Sequence, residues 1–71
     1  MRARREVTVR APLRHALAAL RDAGLRVERI EHGRHTEIYI EGGSILRIHR
    51  GSHVSRAFER GLRSSIRKWS A

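Results

Sequence analysis

Thr36-Glu37-Ile38-Tyr39-Ile40-Glu41-Gly42-Gly43-Ser44-Ile45-Leu46-Arg47-Ile48-His49 is the stretch that decides the fold. Thr36, Ile38 and Ile40 alternate with Glu37, Tyr39 and Glu41, the two-residue period of a strand with one face against a core. Gly42-Gly43-Ser44 follows, and glycine supplies the positive φ angles a tight hairpin requires. Ile45, Leu46 and Ile48 form the next strand, with Arg47 and His49 directed outward. A lone hairpin with an apolar face is marginal in water, so flanking segments must cover it.

Upstream, Leu25-Arg-Val-Glu-Arg-Ile30 alternates at its start and slips register near Arg29, before a turn at His32-Gly33-Arg34-His35. Before that strand, Pro12 fits the first position of a helix running to Ala23. Leu13, Ala16, Leu17 and Leu20 mark its apolar face, and Gly24 is placed to end it in a left-handed conformation. Residues 1–10 read as a basic arm, with Val7-Thr8-Val9 as a short extended segment. Residues 11–71 read as a single domain. Downstream, Gly51-Ser52 breaks the third strand, and Ser52 or Ser55 can cap a helix over 54–69. Its stripe is Val54, Phe58, Leu62, Ile66 and Trp69, at spacings of four and three. The order is α-β-β-β-α. The expected fold is an α+β two-layer sandwich with both helices on one face of an antiparallel three-stranded sheet. Leu17, Leu20, Val27, Ile38, Ile40, Leu46, Ile48, Phe58, Leu62 and Ile66 are the expected core.

At 71 residues the chain is one small domain with a marginal core. It has no cysteine, hence no disulfide and no thiolate chemistry. No apolar run is long enough to span a bilayer, and Met1-Arg-Ala-Arg-Arg-Glu6 lacks the apolar centre of a signal peptide. A cytoplasmic protein is expected, with no membrane partner. The net charge of +9 and pI near 11.8 point to a polyanionic partner. The basic set is fifteen arginines and one lysine, and the guanidinium is a planar, bidentate donor suited to phosphate. Tyr39, Phe58 and Trp69 are the only aromatics, too few for a surface built to stack single-stranded bases.

The charge concentrates from Arg47 to Lys68, with seven basic residues against one acid, Glu59. Arg56, Arg60, Arg63 and Arg67 recur at helical spacing, rotated from the apolar stripe, and like charges there repel unless something anionic neutralises them. A face serving only solubility would mix both signs. The expected contacts are therefore Arg34, Arg47, Arg50, Arg56, Arg60, Arg63, Arg67 and Lys68, with RNA as the partner and DNA as the alternative. The five histidines have no cysteine and no placed carboxylate beside them, so neither a metal site nor another cofactor is expected.

The α-β-β-β-α order, the Gly33-Arg34-His35 turn before the second strand and the closing Leu62-Arg63-Ser64-Ser65-Ile66-Arg67 together resemble the HicA-type mRNA interferase toxins. The likeness covers about residues 12–68. It implies a fold similar to double-stranded-RNA-binding domains, an endoribonuclease activity and a neutralising antitoxin. It makes His35 the catalytic residue, by analogy with a Gly-Ser/Thr-His element that opens the second strand in that family. Arg34 departs from the Ser or Thr of that element, and Gly51-Ser52-His53 comes after the third strand rather than before the second. Short phage-encoded proteins have a similar layout. Two further readings stand beside the toxin: a non-catalytic nucleic-acid-binding module, and a basic inhibitor that docks an acidic protein. Trp69 is a core contact, a helix cap or part of a homodimer surface.

Overall fold

The computed structural model describes residues 7–49 and 51–70. The elements are α1 (Val7–Asp22), β1 (Val27–His32), β2 (Thr36–Ile40), β3 (Ile45–Ile48) and α2 (Arg56–Ser70). This is the α-β-β-β-α order, with an antiparallel sheet in the order β1-β2-β3.

Helix α1 starts five residues earlier than Pro12 implies, so Val7-Thr8-Val9 is helical rather than extended and Pro12 lies inside the helix. The proline ring holds φ in the helical range, but as the sixth residue of α1 it lacks the N–H that would bond the carbonyl of Thr8, so the opening turns are held by one bond fewer. At the other end Gly24 takes a φ of 80°. Its N–H donates to Arg21 O at 2.9 Å, and Leu25 N–H donates to Leu20 O at 2.9 Å. That pair of bonds is the Schellman closure, which satisfies carbonyls the helix leaves open.

In the sheet, Val27 pairs with Ile40 but Arg29 pairs with Tyr39, so one extra residue, Glu28, is accommodated as a bulge. This is the register slip that the sequence shows near Arg29. The hairpin glycines Gly42 and Gly43 have φ of 106° and 101°. The β2–β3 register sets Thr36 opposite Ile48, Glu37 opposite Arg47, Ile38 opposite Leu46 and Tyr39 opposite Ile45.

One sheet face carries the core. Thr36, Ile38 and Ile40 are buried along β2, and Ile48 joins them from β3. Ala16 and Leu20 of α1 and Leu62 of α2 complete the buried cluster. Leu17, Val27, Leu46, Phe58 and Ile66 pack around it half-buried, as do Leu13 and Trp69. Ser55 caps α2, accepting a bond from Phe58 N–H at 3.2 Å, so the helix begins at Arg56. Val54 therefore falls outside the stripe it was assigned to and is 40% exposed. No described helix is long and apolar enough to cross a membrane.

Candidate nucleic-acid interface

Helix α2 presents its arginines as a unit. At about 100° per residue, Arg56, Arg60, Arg63 and Arg67 fall within about 60° of arc, roughly 150° from the direction of Phe58, Leu62 and Trp69. All four are exposed, whereas Leu62 is 5% exposed. The apolar stripe is anchored in the core, so the row must face away from it. Among the described residues none of the four has an acidic partner. The one acid of this helix is engaged with α1, since Glu59 Oε2 lies 3.2 Å from His15 Nε2. The His15 ring also stands 6.1 Å from that of Phe58, tilted. Lys68 is exposed, about 100° around the helix from the row.

The remaining expected contacts lie elsewhere. Arg34 is exposed in the turn between β1 and β2. Arg47 points from the face of the sheet opposite the core, where its Nε donates to Glu37 Oε2 at 3.0 Å. Arg50 lies outside the described residues. That sheet face is a linked polar surface. Arg29 lies 3.9 Å over the Tyr39 ring and donates to Glu31 at 2.8 Å. Tyr39 Oη donates to Glu37 Oε1 at 3.0 Å. This hydroxyl first, and Arg47 second, hold the Glu37 carboxyl below its ordinary range. The same bond raises the Tyr39 phenol. Two arginines and two glutamates thus neutralise each other here, while the outer side of α2 stays positive.

His35 precedes β2 on the side of Glu37, since Thr36 next to it is buried on the core face. Its ring meets that of His49 edge to face at 4.6 Å between centroids. Its Nδ1 is buried without a hydrogen-bond partner. The Gly33 N–H, which would otherwise be available to a phosphate, donates to His35 O at 3.0 Å and closes the turn. His32 Nδ1 lies 3.2 Å from Thr36 Oγ1. The structure therefore brings His35 together with His49, Glu37 and Arg34, and places the α2 arginines on the other side of the sheet. Among the described residues no group of three or more histidine, cysteine or carboxylate side chains is arranged to hold a metal.

The sequence reading passed over a second basic row. Arg10, Arg14 and Arg21 of α1 are all exposed and fall within about 40° of arc, away from Ala16 and Leu20. The spacing of four and seven was visible in the sequence, but assigning Arg10 to an extended arm broke the row. No protein-family model, characterised protein or solved structure matches the chain.

Proposed function

We propose that this chain binds RNA through phosphate contacts made by Arg56, Arg60, Arg63 and Arg67. The observation that carries this is the α2 row itself: four exposed guanidinium groups on one face, without acidic partners among the described residues. The arrangement costs self-repulsion that a polyanion relieves, and release of phosphate counterions adds a favourable term. Affinity for RNA should fall steeply as salt rises. Reversing Arg56, Arg60 and Arg63 together to Glu should abolish binding while circular dichroism stays unchanged. Binding equal to the parent would refute the proposal.

The contact of His35 with His49 favours a second reading, RNA cleavage of the interferase type, with an antitoxin as protein partner. His35 would accept the proton of a ribose 2′-hydroxyl as its oxygen attacks the adjacent phosphate. The 5′-oxygen would leave with a proton from His49, producing a 2′,3′-cyclic phosphate. Arg34 adjoins His35 in sequence. The expected result is that His35→Ala loses cleavage and toxicity but keeps RNA affinity, because the phosphate-binding row is on another surface. Equal cleavage by parent and variant, or none by the parent, removes this reading.

A further inference from the structure

We infer that the arginine row of α1 is the second half of the interface, and that the two helices together grip a double-stranded nucleic acid. This rests on the RNA-binding reading of α2 and names the form of partner its surface fits.

The two rows are matched. Arg10 to Arg21 and Arg56 to Arg67 each span eleven residues (21 − 10 and 67 − 56), about 16 Å along a helix. Both helices bury their apolar sides in one cluster; the α2 row lies nearly opposite its stripe, and the α1 row about a quarter turn from the centre of Leu13, Ala16, Leu17 and Leu20. The helices meet where His15 and Glu59 lie 3.2 Å apart, and a cleft lined by Ala19, Asp22, Leu62 and Ile66 separates them beyond that point. Packed helices have axes about 8–10 Å apart, and the α1 row leans away from α2. The rails are thus separated by more than the distance between axes. A single backbone following one rail does not reach the other. Two backbones bordering a groove do, since duplex grooves are about 6 and 12 Å wide.

The aromatic residues reinforce this choice. Proteins that hold single strands stack bases on aromatic rings. This chain has one Phe, one Trp and one Tyr. Phe58 and Trp69 pack against the core, and the Tyr39 ring is covered by Arg29 with its hydroxyl bonded to Glu37. None of these three rings is left as a platform, whereas a duplex keeps its bases stacked internally and offers the protein phosphates.

The test is a titration of the full chain with a short RNA duplex, a DNA duplex of the same sequence, and the RNA single strand. It uses the parent and an R10Q/R14Q/R21Q variant, in which glutamine keeps helix propensity while removing charge. The parent should bind at least one duplex about ten-fold or more tighter than the single strand. The variant should lose about ten-fold or more for that duplex, with its salt slope shallower by about 3 and its single-strand affinity nearly unchanged. Thermal melting must show the variant folded, and single replacements at Arg10 and Arg14 serve if it is not. Equal affinity for duplex and single strand, or an α1 variant that binds duplex like the parent, overturns the inference and leaves the α2 reading standing. A parent that binds no nucleic acid removes both.

Discussion

Glu37 shows how one side chain sets the character of a whole sheet face. Its two oxygens are divided between the Tyr39 hydroxyl and the Arg47 guanidinium, both at 3.0 Å, and both favour the ionised carboxylate. A carboxyl held below its unfolded value binds its proton less readily in the folded chain. The resulting stability is complete above the unfolded pKa and is lost as pH falls through the folded one. Thermal melting of the parent should therefore lose more stability than that of Glu37→Gln as pH drops through the carboxylate range, near about 4. Parallel pH profiles for the two would show that the carboxylate contributes nothing. His35 marks the limit of reading single residues from sequence. Its place at the head of a strand was legible, but its contact with His49 depends on the β2–β3 register, which brings positions fourteen apart together (49 − 35).

At the scale of elements, local signals were most reliable where backbone geometry is demanding. The left-handed Gly24, the Gly42–Gly43 turn and the Glu28 bulge all follow from patterns visible in the sequence. Helix starts were less legible. Pro12 reads as a first position because a helix tolerates proline there, yet α1 carries it as its sixth residue, and the β-branched Val7-Thr8-Val9 before it do not signal the earlier start. Val54 has the right spacing for the α2 stripe, but the Ser55 cap begins the helix after it. Gly61 lies inside α2, and a methyl group built there meets nothing within 4 Å. The backbone is already helical, so Gly61→Ala should stabilise the protein by about 0.5–1 kcal/mol. For a domain this small the melting temperature should rise by a few degrees, about 4–8 °C per kcal/mol. A fall in melting temperature would show a contact at Gly61 that the helix conceals.

Across the whole molecule the charge is partitioned rather than spread. On the sheet face away from the core, Arg29 and Arg47 are bonded to Glu31 and Glu37. The outer sides of the helices carry Arg10, Arg14, Arg21, Arg56, Arg60, Arg63 and Arg67 against Asp22 and Glu59, with Glu59 held by His15. Composition announces the excess of +9 but not this division, which depends on strand register and on the direction each helix turns its stripe. For the same reason the sequence pooled Arg47 with the helix arginines, although the fold separates them.

The register that pairs Arg47 with Glu37 also places it at the middle of β3, the four-residue outer strand Ile45-Leu46-Arg47-Ile48. Outer strands leave backbone groups unpaired, a template onto which another molecule can add its own strand. Ile45 is 44% exposed beside that border, so Arg47 is the sole charge interrupting an otherwise continuous aliphatic run. A charged residue in such a position acts as a gatekeeper against self-association. Arg47→Val would join the four aliphatic positions into one β-branched-rich border. Light scattering during heating should then show aggregation well below the parent's onset, and unchanged scattering would place the protection elsewhere. One arginine, by this account, keeps copies of the chain from zipping together along their rims.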